Sequence, residues 1–185
     1  AGSYLYTSQN YGISWTIVNS KLSNGTNFFF DGTIFSVAIS SNGNFITAAS
    51  ATSTSINIYT SVNNGINFQF QYSLTSLAII IGQKGYNNNN IISVAMSSTG
   101  QYQICSFNVT LLNLPANNIT LFVSNNYGQT WRGISTLPYS DLLNCVSISS
   151  SGQYMCIGRS STNNTSYNLL VSTNYGATFT VVGKP

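Results

Sequence analysis

Ser124-Asn125-Asn126-Tyr127-Gly128-Gln129-Thr130-Trp131 is one of four related octets in this 185-residue chain. The others are Ser8-Gln9-Asn10-Tyr11-Gly12-Ile13-Ser14-Trp15, Ser61-Val62-Asn63-Asn64-Gly65-Ile66-Asn67-Phe68 and Ser172-Thr173-Asn174-Tyr175-Gly176-Ala177-Thr178-Phe179. Each has Ser, then Asn two residues on, Gly after two more, and Trp or Phe at the end. The copies begin 53, 63 and 48 residues apart, so the chain is a repeat and must be read as one. The chemistry is that of a tight turn. An Asn carbonyl accepts backbone N–H groups a few residues on, Gly supplies positive φ, and the terminal aromatic offers a large apolar surface to a neighbouring sheet.

A second motif alternates with the first. It reads Ser36-Val37-Ala38-Ile39-Ser40-Ser41-Asn42-Gly43-Asn44-Phe45, Ser93-Val94-Ala95-Met96-Ser97-Ser98-Thr99-Gly100-Gln101-Tyr102 and Cys145-Val146-Ser147-Ile148-Ser149-Ser150-Ser151-Gly152-Gln153-Tyr154. Alternating apolar residues, a Gly-containing turn and an aromatic opening the next stretch are the signature of a hairpin. Together the motifs define a unit of strands A (near Val37, Val94, Val146), B (from Phe45, Tyr102, Tyr154), C (Ile56–Tyr59, Ile119–Val123, Leu169–Val171) and D after the octet turn. Four antiparallel strands in about 50 residues predict a β-propeller blade. No apolar period of 3.6 extends far enough for a helix. The expected fold is all-β, with three complete four-stranded blades after an N-terminal half blade of strands C and D, about 14 strands in all. The divisions fall at 1–34 (half blade and linker), 35–91, 92–143 and 144–185.

The octet resembles the Asp box, or BNR repeat, in which Ser, Asp, Gly and Trp occupy these positions. That family includes sialidases, sortilin-type receptor domains, xyloglucan-active glycosidases and a photosystem assembly factor, and the resemblance implies a β-propeller. Asn10, Asn63, Asn126 and Asn174 stand where the family has Asp; an amide oxygen still accepts hydrogen bonds, so the turn is expected to survive without the charge. In the family the box is structural, so it implies a fold rather than a reaction. Working sialidases use an arginine triad, a Tyr–Glu pair and an Asp acid. This chain has two arginines and no Glu.

Composition narrows the function further. Charged residues make up 4% of the chain, against roughly 25% in ordinary soluble proteins. Apolar residues at 43% and aromatics at 13% supply a core and set the chain apart from disordered polymers. There is no His, and the acids are Asp31 and Asp141 alone. General acid–base and activated-nucleophile chemistry ordinarily draw on groups that are missing. A glycosidase carboxylate pair would need both aspartates in one cleft. No catalytic residue, cofactor or metal site is expected. The cations Lys21, Lys84, Arg132, Arg159 and Lys184 are scattered, which argues against nucleic acid. No apolar run reaches the length of a membrane span, and Leu77–Ile81 is strand-sized.

Candidate contact residues follow from the turns. Tyr11, Tyr127 and Tyr175 sit at hairpin tips, either exposed to sugars or to another subunit, or packed on their own hairpins. Sequons at Asn24, Asn108, Asn118, Asn163 and Asn164 permit glycosylation. Cys105, Cys145 and Cys156 read as small buried hydrophobes, with a strained Cys145–Cys156 bridge as the alternative. The lone C–D pair at the N-terminus does not close a ring in the usual way. Upstream residues, the N-terminal loop or neighbouring copies must complete it, and the last case gives heterologous rings or filaments. The weakly charged surface favours such association. The expected function is non-enzymatic structural or adhesive work at an extracellular, virion, filament or cell surface, through self-association. The alternative is a carbohydrate-binding propeller or a catalytically degenerate glycosidase relative, with glycans as partners.

Overall fold

A computed structural model describes residues 4–18, 30–52, 55–73, 92–107, 121–134, 141–161 and 168–182. Strands β1 (Tyr6–Thr7) and β2 (Thr16–Ile17) form a two-stranded antiparallel sheet. Three four-stranded antiparallel sheets follow, each in simple chain order. The first holds β3 (Thr33–Ile39), β4 (Ile46–Ala51), β5 (Ile56–Ser61) and β6 (Gln69–Ser73). The second holds β7 (Ile92–Met96), β8 (Gln103–Phe107), β9 (Leu121–Ser124) and β10 (Arg132–Gly133). The third holds β11 (Asp141–Ile148), β12 (Met155–Ser161), β13 (Asn168–Ser172) and β14 (Thr180–Val182). These are three propeller blades behind a half blade, and no helix occurs among the described residues.

The strand sequences fit a stack of sheets. β4 and β5 are buried along their whole length, because a middle strand of the first blade is covered on both faces. Ala48, Ala49 and Ala51 keep β4 thin enough for the close approach. The register pairs Val37 with Ala48, Val94 with Cys105 and Val146 with Ile157, so the second motif occupies one geometric position three times. Bulges between Ile34 and Ser36 and between Leu143 and Cys145 bend the first strand at the same place in blades one and three.

The core is divided among the junctions between blades. Phe30, Ile46, Ala48, Tyr59 and Phe68, with Leu5 and Val18 packed on them, fill the space between half blade and first blade. Ala49, Ile56 and Ile58 meet Val94, Cys105, Phe107 and Phe122 in the next junction. Ile104, Leu121 and Val123 meet Leu143, Met155, Ile157 and Leu170 in the third.

The first strands line up as an inner wall, β3 against β7 and β7 against β11. One hydrogen-bond set repeats along it. Val94 N–H donates to Ser36 Oγ at 3.0 Å and Val146 N–H to Ser93 Oγ at 3.2 Å. Ser41 N–H donates to the Ser98 carbonyl, and Ser98 N–H to the Ser150 carbonyl, each at 2.9 Å.

Candidate functional site

The four octets fold into one turn. Ser8, Ser61, Ser124 and Ser172 each donate Oγ–H to the Oδ1 of Asn10, Asn63, Asn126 and Asn174, at 2.9–3.0 Å. The same hydroxyl oxygen accepts the N–H of Gly12, Gly65, Gly128 or Gly176 at 2.8–3.0 Å. The Asn oxygen also accepts the N–H of Ser14, Asn67, Thr130 or Thr178 at 2.9–3.0 Å. The amide then uses a capacity that a carboxylate lacks. Asn10, Asn126 and Asn174 donate Nδ2–H to the hydroxyls of Ser14, Thr130 and Thr178, at 2.8–2.9 Å.

The turn contains two successive left-handed residues, and the sequence pointed only to the Gly. Tyr11, Asn64, Tyr127 and Tyr175 have φ of 56°, 59°, 60° and 59°. Asn tolerates this region through its short polar side chain, whereas Tyr adopts it at a cost of roughly 1–2 kcal/mol. Tyr127 and Tyr175 have a compensating contact. Tyr127 stacks on Phe45 of the preceding blade, with ring centroids 4.6 Å apart and planes 27° apart. Tyr175 lies on Tyr102 of the preceding blade, again at 4.6 Å, with planes 35° apart. Gly100 and Gly152 complete the sockets, since a Cβ on either would overlap the Phe45 or Tyr102 ring.

Each of the two junctions between complete blades is therefore clasped by an aromatic from one blade held between a Gly and a Tyr of the next. Tyr127 and Tyr175 thus rest on the neighbouring blade rather than on their own hairpins, Tyr175 remaining 44% exposed, while Tyr11 is open to solvent. The sequence places Phe45, Tyr102 and Tyr154 at the start of strand B, but the partner that Phe45 and Tyr102 meet across the junction was not foreseen. Their recurrence, one opening strand B in every unit, was the available signal.

Repeat-equivalent positions expose the two ends of this arc. Ile58, Leu121 and Leu169 each precede their octet Ser by three residues; the first two are 0% accessible and Leu169 is 48%. Phe68 is fully buried against the half blade, whereas the equivalent Trp15 is 62% accessible. Val94 is 7% accessible and the equivalent Val37 is 49%. Tyr11 is fully exposed, and Tyr154 is more than half exposed. One end thus presents Tyr11, Ile13 and Trp15, with Phe35, Val37 and Ile39 on β3. The other presents Tyr154, Leu169 and the outer face of β12.

The remaining sequence candidates scatter. Asp31 is exposed ahead of β3; its N–H donates to the Tyr59 hydroxyl at 3.1 Å and its carbonyl accepts from Ser50 Oγ. Desolvation raises the Tyr59 phenol above its ordinary pKa, despite the opposing Asp31 hydrogen bond. Asp141 opens β11, two blades away from Asp31, and its side chain lies outside the described residues. All five sequons, at Asn24, Asn108, Asn118, Asn163 and Asn164, lie outside them too.

The reading of three buried cysteines holds fully for Cys105, whose thiol burial pushes well above its ordinary pKa. It fails for Cys145, which is exposed on the uncovered face of the third blade, while Cys156 is half-buried. No bridge joins that pair: both thiols are free, and the register sets Cys145 opposite Gly158 and Cys156 opposite Ser147. Among the described residues no group of three or more metal-ligating side chains converges, and no helix is long and apolar enough to cross a membrane.

Arg132 donates Nη2–H to the Gly176 carbonyl at 2.9 Å, tying β10 to the third blade's turn. Beside it opens a shallow cleft of about 170 Å³ lined by Asn125, Thr130, Trp131, Arg132 and Tyr175.

No protein-family model and no curated protein sequence matches the chain. Solved structures do resemble it in fold. The GH74 xyloglucanase of Xanthomonas campestris superposes with a TM-score of 0.56 at 15% identity, over 82% of this chain and 24% of that one. A point variant of the sialidase NanB of Streptococcus pneumoniae gives 0.53 at 15% identity, over 98% and 27%. Kuenenia stuttgartiensis hydrazine synthase gives 0.51 at 13% identity, over 97% and 46%. The chain spans less than half of each of these proteins, and the likeness establishes the β-propeller fold.

Proposed function

We propose that this chain is a non-catalytic β-propeller module of an extracellular, virion, filament or cell surface, and that it acts through contacts between copies of itself. The observation carrying this reading is the contrast between equivalent positions: Ile58 and Leu121 are sealed inside, while Leu169 and Trp15 lie open at opposite ends. Apolar surface gathered at two complementary places marks an interaction face. The low charge adds little repulsion between copies. A chain with no His, no Glu and two aspartates on different blades has little with which to perform hydrolysis. The turn geometry supports kinship with Asp-box repeats, with the Asn amide recovering through its NH₂ group part of what the charge would give.

A carbohydrate-binding role is the second reading. It is favoured by the cleft beside Trp131 and Arg132, and by the xyloglucanase and sialidase among the neighbours in fold. Light scattering over micromolar to submillimolar concentration, run beside a glycan array, separates the two. The self-association reading expects mass to grow with concentration and the array to stay blank. A monomer at every concentration that binds a glycan overturns it.

A further inference from the structure

We infer that the half blade of one copy docks on the third blade of another, Tyr11 stacking on Tyr154 and Trp15 lying over Leu169. The inference rests on the self-association reading and specifies its interface.

The interface is an extension of one already present twice in the molecule. In both internal clasps a left-handed Tyr of the octet turn covers the aromatic that opens the preceding blade's second strand, as Tyr127 covers Phe45 and Tyr175 covers Tyr102. Trp131, the signature aromatic of the same turn, packs against the cluster that fills that junction, to which the preceding blade contributes Ile58 and Ala49. The ends of the arc hold the two unmatched halves. Tyr154 and Leu169 are the equivalents of Phe45 and Ile58, and no described blade covers them. Tyr11 and Trp15 are the equivalents of Tyr127 and Trp131, and no described blade lies under them.

Backbone strain gives independent support. At the first blade's turn, where the half blade supplies no strand-opening aromatic, the left-handed position holds Asn64, which adopts it readily. Tyr occupies that position in the two turns where an aromatic awaits it. Tyr11 is the exception: it has φ 56° and a fully exposed ring. A strained residue with no internal contact to offset it points to an external one. The contact joins two different surfaces, so it is heterologous and propagates as an open chain or closes as a ring.

End-blocking variants test this. Tyr11→Asp removes the head contact and Tyr154→Asp the tail contact; both rings are exposed, and circular dichroism checks that each variant keeps the wild-type sheet signal. Each variant alone is expected to lose association by at least about 30-fold, as for a central aromatic anchor. Mixed together, the two should form a one-to-one pair and nothing larger, because one intact head and one intact tail remain. Pairing of either variant with itself means an isologous contact and overturns the inference. Wild-type-like assembly by both variants overturns it while leaving self-association standing. A wild-type chain that never associates removes the underlying reading, and this inference with it.

Discussion

The junction between the first and second blades and the open face of the third present the same repeat positions in opposite states. At the junction Ile58 is sealed, Phe45 is held between Gly100 and Tyr127, and Ser36 accepts a hydrogen bond from Val94. On the open face the equivalent Leu169 is half exposed, Tyr154 projects into solvent, and Cys145 stands where the Ser would be. Apart from that exchange of Ser for Cys, the local sequence does not separate the two states, since both are strands of one unit with apolar residues at the same offsets. Burial in a stacked-sheet protein belongs to the pair of blades, and a blade's chemistry is completed only by its neighbour.

Truncating the same position on each side breaks the comparison most sharply. Leu121→Ala opens a cavity between the second and third blades and should lower stability by about 3 kcal/mol. Leu169→Ala, at the exposed equivalent, should lower it by about 1 kcal/mol or less. Urea melts of the monomer read both values, and equal losses would mean that the third blade's face is covered.

Glycines give the next largest contrast. Gly152→Ala places a methyl into the Tyr102 ring at a φ of 83°, and about 3 kcal/mol is expected. Gly12→Ala has the same φ but meets nothing closer than Trp15 at 3.9 Å, so the backbone term of about 1 kcal/mol remains. A shift in urea midpoint at constant slope distinguishes the two.

The tyrosines should respond with opposite signs. Tyr127→Asn exchanges a stacked ring for a relaxed backbone and should destabilise by up to about 1 kcal/mol. Tyr11→Asn relaxes the backbone and loses no internal contact, so a gain of about 0.5 kcal/mol is expected in dilute solution.

The thiols provide the smallest effect. The folded state holds the Cys105 proton more tightly than the unfolded chain, where a thiol ionises near pH ~8.5. Its contribution is therefore complete below that pH and is lost as pH rises towards the folded-state value. Cys105→Ala should flatten that alkaline decline. A thiol reagent should label Cys145 in the native protein and Cys105 only after unfolding.

The repeat by itself determined the architecture. Octets with hydrogen-bonding Ser and Asn, a Gly and a terminal aromatic specify a turn through contacts spanning at most a few residues, and such contacts are legible in order along the chain. The count of strands, their antiparallel order and their grouping into blades followed from spacing. What a side chain faces across a junction was not legible in this way. Tyr127 reads as a hairpin-tip residue, yet its ring rests on Phe45, which comes from another repeat. Cys105 and Cys145 both read as apolar strand positions, yet one is sealed and the other exposed. Hydrogen bonds within a turn are fixed by the backbone that the turn itself creates. Burial and stacking depend on how one sheet lies against the next, and that was decided only when the blades packed.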